Sequence, residues 1–297
     1  MKELIIGASG LIGRYLYRVS LNTGSEAAGT YYKNRRPGLI PLDFTDAEAV
    51  KRLIANMRPD VIYLPAAMPH VDWCERHPGD SAAINVKGPC NVISALTGTG
   101  IKLVYYSSDY VFDGENGPYT ENDLPNPVNV YGLQKLEVED EIIRKMTNYL
   151  ILRVTVVYGW EYPVKNFAHR AINNLRCGHS VKVPADQMGN PTYVANLAEA
   201  SRELALDRHT GIFNLAGAAN VSRYEFAVAL AGAFNLNPLL IIPVSTNEAG
   251  QAAKRPLRAG LIIDKAGKVL DMDMLSHTEG LLRMKNEERI YNEYLRS

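Results

Sequence analysis

Short apolar runs alternate with stretches of helical period from the first residues onward. Leu4-Ile5-Ile6 reads as a strand, followed by a glycine turn and a helix near Leu11 to Leu21. A second strand is expected around Ala28 to Tyr32 and a short third over Leu39 to Leu42. Thr45 and Glu48 have the spacing of a capping box for a helix that reaches Met57, where Arg58-Pro59-Asp60 ends it. Val61 to Leu64 reads as a buried strand, Ser81 to Leu96 as a helix and Leu103 to Tyr106 as a strand. A further helix follows Tyr131, and Leu150 to Val154 reads as the next strand.

This alternation predicts an α/β fold, a Rossmann-type doubly wound parallel sheet with helices on both faces. After about Gly159 the rhythm breaks, and Pro163, Pro184, Pro191, Pro238, Pro243 and Pro256 punctuate shorter, mixed segments. Ser222 and Glu225 cap one helix there, and Ser276 to Leu295, containing Thr278-Glu279, reads as another. The expected division is residues 1–160 as the sheet domain, with 192–217 returning to it, and 161–297 mainly as a smaller C-terminal lobe.

Composition narrows the function classes. The 297 residues carry 32 Lys and Arg against 32 Asp and Glu, so the basic excess of a phosphate-tracking nucleic-acid binder is absent. No apolar run approaches the roughly 20 residues of a membrane helix. The stretch at Leu4 is too short for a signal peptide. Cys74, Cys90 and Cys177 are odd in number and widely spaced, a pattern of idle thiols in a reduced compartment. The expectation is a soluble cytoplasmic protein without nucleic-acid or membrane partners, and a homodimer is left open.

Gly7-Ala8-Ser9-Gly10-Leu11-Ile12-Gly13 follows a strand at once and opens a helix. In that context the glycines form a pyrophosphate-binding turn, with the helix N-terminus offering N–H groups and a positive dipole end. An NAD site places an acid about 20 residues on, at the ribose 2′-hydroxyl. No acid lies between Glu26 and Asp43, and Lys33, Asn34, Arg35 and Arg36 stand there instead. Guanidinium groups suit a 2′-phosphate, so NADP(H) is the expected cofactor, against the alternative of a solvated basic loop. Asp43 and Phe44 follow the third strand, where they would flank the adenine.

Tyr131 and Lys135 stand four residues apart at a helix start and so share a face. A cation about 5 Å from a phenol, at an effective dielectric near 20, is worth roughly 3 kcal/mol and would lower its pKa by about two units. Tyr131 would then serve as general acid or base for a carbonyl/alcohol pair. Ser107-Ser108-Asp109 lies at the carboxyl end of a strand, where parallel sheets bind ligands.

These segments resemble the extended short-chain dehydrogenase/reductases, and within them the dTDP-4-dehydrorhamnose reductase family. The resemblance is carried by Tyr106-Ser107-Ser108-Asp109-Tyr110-Val111-Phe112-Asp113-Gly114, by Asn126 to Gly132, and by Gly189-Asn190-Pro191-Thr192. It implies a catalytic triad at Ser108, Tyr131 and Lys135, with Asn85 steadying the lysine through water. It further implies cofactor contacts at Gly7, Ser9, Gly10, Leu11, Ile12, Arg35, Arg36, Asp43, Phe44, Ala66, Ala67 and Met68. The implied reaction is hydride transfer from NADPH to C4 of a nucleotide-linked 4-keto-6-deoxysugar, bound by Ser108, Asp109, Val156, Asn166 and Arg255.

One departure bears on the substrate. Relatives often carry Trp where Val156 stands in Arg153 to Gly159, so the sugar site lacks an aromatic face. The wording from Ser107 to Gly114 also resembles the methionine adenosyltransferase β-subunits. The alternative it implies is a non-catalytic NADP-binding regulatory subunit that acts by partner binding. His70, Asp72, Cys74, Glu75 and His77 fit no metal-ligand spacing and read as a solvated loop, with His70 or Trp73 near the sugar.

Overall fold

The computed structural model describes residues 1–207 and 209–296. Its strands are β1 Lys2–Ile5, β2 Glu26–Tyr31, β3 Ile40–Pro41, β4 Val61–Leu64, β5 Lys102–Ser108, β6 Tyr149–Val154, β7 Val157–Tyr158, β8 Val181–Pro184, β9 Met188–Gly189, β10 Thr192–Tyr193, β11 Gly211–Asn214, β12 Val221–Ser222 and β13 Ile241–Val244. The helices are α1 Leu11–Asn22, α2 Ala47–Met57, α3 Val71–Arg76, α4 Pro78–Ala82, α5 Gly88–Leu96, α6 Val130–Lys145, α7 Phe167–Arg176, α8 Val194–Leu206, α9 Arg223–Ala233, α10 Asp264–Gly267, α11 His277–Asn286 and α12 Glu288–Arg296.

Among the described residues a seven-stranded sheet runs β11-β6-β5-β4-β1-β2-β3, with every neighbouring pair parallel. This is the doubly wound order, extended by β11 beside β6. Every residue of β4 and of β5 is buried, as strands covered on both faces must be. Alternate residues feed two cores. Leu4, Ile6, Ile62 and Tyr105 pack with Val50 and Ile54 of α2, Val92 of α5 and Val138 of α6. Ile5, Tyr63, Val104 and Tyr106 pack on the other face with Leu16 of α1 and Leu197 and Ala198 of α8. Segment 192–217 thus lies against the first sheet, and the later chain contributes the small paired strands β8–β13 and β9–β12.

Three local expectations are corrected. Asp46, not Thr45, caps α2: its Oδ1 accepts from the Glu48 and Ala49 N–H groups. Thr45 is drawn back instead, its hydroxyl donating to Asp43 Oδ1 at 2.7 Å. The helix read over Ser81 to Leu96 is α4 and α5 joined by a π-helical turn, Ala83–Lys87. The terminal helix is also two: Ser276 and Glu279 form a capping box for α11, and the chain turns at Glu287 into α12. That last pair docks on the chain itself. Trp160 Nε1 donates to the Met284 carbonyl at 2.7 Å, and the Tyr291 ring stacks on Trp160.

Candidate active site

The glycine turn sits between β1 and α1 with Gly7 at φ +99°. A Cβ on Gly13 would lie 2.2 Å from the Gly7 carbonyl oxygen, so only glycine lets α1 start this close to the strand. The first N–H groups of α1 lack partners within their own helix and open onto a cleft lined by Ser9, Gly10, Arg14, Asn34, Tyr162 and Lys165. Leu11 and Ile12 follow at the helix start. Arg35 is exposed, next in sequence to the lining residue Asn34. Arg36 donates from Nη2 to the Tyr162 carbonyl at 2.8 Å and lies over the Tyr162 ring, tying the sheet domain to the 160s loop. Asp43 accepts from Thr45, and the Phe44 carbonyl accepts from Asn91 Nδ2. Ala66, Ala67 and Met68 are part-buried just past the end of β4.

The segment read as a solvated loop is corrected. Residues 71–76 form α3, and Cys74 is fully buried in it. Its Glu75 supplies an N-terminal cap that the sequence reading missed, Oε2 accepting from the Val130 N–H at 3.0 Å. Asn129 Oδ1 accepts from the Gly132 N–H on the same end of α6. A Cβ on Gly132 would lie 2.1 Å from the Tyr110 carbonyl oxygen, so the glycine seats α6 against the end of β5. No group of three metal-ligating side chains exists among the described residues.

Ser108, Tyr131 and Lys135 come together there. Lys135, on the inner face of α6, donates from Nζ to the Tyr106 carbonyl at 2.8 Å, and Nζ lies 5.7 Å from the Tyr131 ring centre. Tyr131 meets Tyr110 edge to face. Ser108 Oγ donates to Asp109 Oδ1 at 3.0 Å. Asn85, in the π-helical turn, clamps the backbone of Met68 through both amide atoms and donates to Gln134 Oε1 at 2.9 Å. Its direct bonds therefore join the end of β4 to the lysine's neighbour on α6. A π-turn at such a point is a common mark of a functional site.

Behind this edge lies a buried ion pair that the sequence reading passed over. Arg153 Nη2 donates to Glu139 Oε2 at 2.7 Å, with both side chains at most 2% exposed, and the Ser107 hydroxyl also donates to Glu139. The pair ties α6 to β6 and β5. Glu139 stands four residues past Lys135, so the helical period that grouped Tyr131 with Lys135 reaches it too.

The electrostatics differ from the expectation in one respect. Desolvation, then the Asp109 charge, holds the Tyr131 phenol well above its usual value in this structure. The expected lowering by Lys135 does not prevail: its Nζ lies 5.7 Å from the ring centre, but burial dominates. Burial also depresses Lys135 itself to about 8, against the opposing pull of Glu139. Asp109 is raised to about 6 by desolvation, even though Thr155 Oγ1 and Ser108 Oγ donate to it.

Beyond Asp109 opens a pocket whose walls include Val156, Gln187, Met188, Arg223, Phe226 and Pro256. Val156 adopts φ +42°, a strained value for a β-branched residue. Asn166 and Arg255 do not line this pocket. Asn166 caps α7, its Nδ2 donating to the Gly159 carbonyl and to Glu161. Arg255, 9% exposed, donates to the Ala253 carbonyl and to Asp72 Oδ1 at 2.8 Å.

With this geometry the relatives can be weighed. The chain is 37% identical over 267 residues to methionine adenosyltransferase 2 subunit beta of Danio rerio, covering 88% of this chain and 82% of that one. It is 30% identical to the probable low-salt glycan biosynthesis reductase Agl14 of Haloferax volcanii, over 88% of this chain and 89% of that one. Among solved structures, dTDP-4-dehydrorhamnose reductase of Bacillus anthracis, in complex with NADP, superposes with a TM-score of 0.88 at 31% identity, covering 96% and 99%. The Clostridium acetobutylicum dTDP-4-dehydrorhamnose reductase also superposes at 0.88, with 30% identity over 97% and 100%. Residues 1–290 match the RmlD substrate binding domain, and the chain belongs to that family.

Proposed function

We propose that this protein is an NADPH-dependent reductase of a nucleotide-linked 4-keto-6-deoxysugar. The observation that carries the reading is the grouping of Ser108, Tyr131 and Lys135 at the carboxyl end of β5 and the start of α6, with Ser108 bonded to Asp109 in the pocket wall. The cleft suits NADP(H). Its glycines leave room for a diphosphate, the free N–H groups of α1 face it, and Arg35 and Arg36 stand where an acid would oppose a 2′-phosphate. The bound nicotinamide would supply the hydride.

The chain's own residues handle the proton and the orientation. Ser108 holds the substrate carbonyl oxygen, and Tyr131 gives its proton to that oxygen as charge develops on it. A phenol held above its usual pKa stays protonated, as a donor must. Lys135 steadies the developing phenolate. Asn85 and Gln134 keep the end of β4 in register with α6.

A second reading has a specific observation behind it. The β-subunits of methionine adenosyltransferase are more identical to this chain than the reductases named above, which favours a regulatory NADP-binding subunit. Against it, Leu281 and Tyr291, candidates for an apolar segment offered to a partner, are buried in this chain, although Leu282 is 55% exposed. NADPH consumption against a panel of nucleotide 4-keto sugars separates the two. The reductase reading expects turnover of at least one sugar that Tyr131→Phe removes. Tight NADPH binding with no turnover of any sugar would move the protein to the regulatory class.

A further inference from the structure

The cation that the sequence offers for an anionic substrate group, Arg255, is committed elsewhere, with its Nη atoms on Ala253 and Asp72. The pocket nevertheless holds an arginine. Arg223 lines it, as do Asp109 and Val156. Among the described residues the Arg223 guanidinium makes no hydrogen bond and no ion pair. Its backbone is fixed, since its N–H donates to the Gln187 carbonyl at 2.9 Å and Ser222 caps the helix it opens. Asp109 feels the Arg223 charge but forms no hydrogen bond or ion pair with it, and its two carboxylate oxygens accept from Ser108 and Thr155. Gln187 is also occupied, through Thr246 and Gln251.

We propose that Arg223 is the anion anchor of the substrate pocket. It takes the diphosphate carried by the nucleotide-linked substrate. A guanidinium with no hydrogen-bond partner presents a planar fork of donors that matches a phosphate. The Asp109 carboxylate, which accepts from Ser108, disfavours an anion beside that hydroxyl, so the diphosphate settles on Arg223 and the neutral carbonyl is left beside Tyr131. Arg223 thus determines which substrate is accepted and which way round it lies, without touching the reacting atoms. This inference rests on the reductase reading above.

The test titrates the NADP-loaded protein with thymidine, dTDP, UDP-glucose and UDP-glucuronate, in wild type, Arg223→Gln, Arg223→Lys and Arg255→Gln. If the anion is the diphosphate, Arg223→Gln weakens dTDP and UDP-glucose about tenfold or more, leaves thymidine unchanged, and Arg223→Lys restores part of the loss. An Arg223→Gln variant that loses only a preference for UDP-glucuronate over UDP-glucose would place Arg223 on a sugar carboxylate and overturn both the diphosphate assignment and the 6-deoxysugar reading. Unchanged affinities in Arg223→Gln overturn the proposal while leaving the reductase reading intact. So does an equal loss confined to Arg255→Gln. Failure of the wild type to bind any of the nucleotides, with NADPH still bound, overturns the reductase reading and this inference together. NADPH affinity of each variant reports that its fold survives.

Discussion

The floor of the glycine cleft comes from one stretch of chain. β1, the turn and α1 run consecutively from Lys2 to Asn22, and the spacing of three glycines already states how close helix and strand must come. The pocket beyond Asp109 is assembled differently, from segments around residues 109, 156, 188, 223 and 256. Neighbours in that pocket are strangers in sequence. A rule of local spacing therefore finds the first region and is blind to the second, where Arg255, the cation the sequence offers, is held by Asp72 and Arg223 lines the pocket instead. The edge around Tyr131 lies between these extremes: Tyr131 and Lys135 are local to α6, whereas Ser108 and Asn85 reach them through the sheet.

The largest effect should separate the two regions at that edge. Tyr131→Phe should lower kcat on the best keto-sugar by about 10²- to 10⁴-fold. The Kd for NADPH should stay within about twofold, because the hydroxyl acts on the transition state. A parallel loss of NADPH affinity would mean that the phenol belongs to the cleft rather than to the chemistry.

Next in size is the buried pair behind the edge. Glu139→Gln strands the Arg153 guanidinium at 2% exposure, and losing one partner of a buried pair costs about 3–5 kcal/mol. Chemical denaturation should record that loss. A change below about 1 kcal/mol would show that water or Ser107 compensates the arginine.

The parallel sheet with helices on both faces was legible because it follows from period. β4 is an unbroken apolar run and β5 holds another from Leu103 to Tyr106, and Leu4, Ile5 and Ile6 alternate between faces as a strand must. The grouping of Tyr131 with Lys135 was legible from their spacing. What stayed hidden was long-range pairing. Nothing near Glu75 says that it caps α6, and nothing near Asp72 says that it will hold Arg255. The direction of the Tyr131 shift was hidden for the same reason: its burial and the Asp109 charge come from the surrounding elements.

Asp109 gives a pH signature to the pocket side. Its folded pKa, about 6, lies above the ordinary Asp value of 3.8, so the folded state holds the proton more tightly. Its contribution to stability is complete below about pH 4 and is lost as pH rises through 6, amounting to about 3 kcal/mol at most. Asp109→Asn should remove that slope from the wild-type stability profile. An identical slope in the variant would assign the titration to another group.

On the cleft side the arginines should set a smaller effect. Arg35 and Arg36 changed together to Ala should erase a preference for NADPH over NADH of about tenfold, near 1.4 kcal/mol, as expected for exposed charge contacts. The single variants sharpen the point. Arg36 already donates to the Tyr162 carbonyl, so Arg36→Ala should weaken both cofactors by loosening the 160s loop, whereas Arg35→Ala should weaken NADPH alone. Tighter binding of NADH than NADPH by the wild type would refute the assignment.

The smallest effect tests a local rule within the region where local rules work best. The sequence offers Thr45 and Glu48 as a capping box, one residue out of register with the structure. Asp46 accepts two N–H groups of α2, at 3.0 and 3.1 Å, while Thr45 bonds back to Asp43. The negative side chain also lies at the positive end of the helix dipole, which adds to the preference for Asp over a neutral cap. Asp46→Ala should therefore cost about 1 kcal/mol in chemical denaturation, and Asp46→Asn less, since it keeps the acceptor and loses only the charge. Thr45→Val removes one exposed-side hydroxyl bond and should cost a few tenths of that. Asp46 makes no bond to an expected cofactor contact, so NADPH affinity should be unmoved in both Asp46 variants, whereas Thr45 holds Asp43 and Thr45→Val is read by stability alone. The reverse order of stability, with Thr45→Val the more damaging, would return the cap to Thr45 and show that even a short spacing rule had been read correctly before the fold was seen.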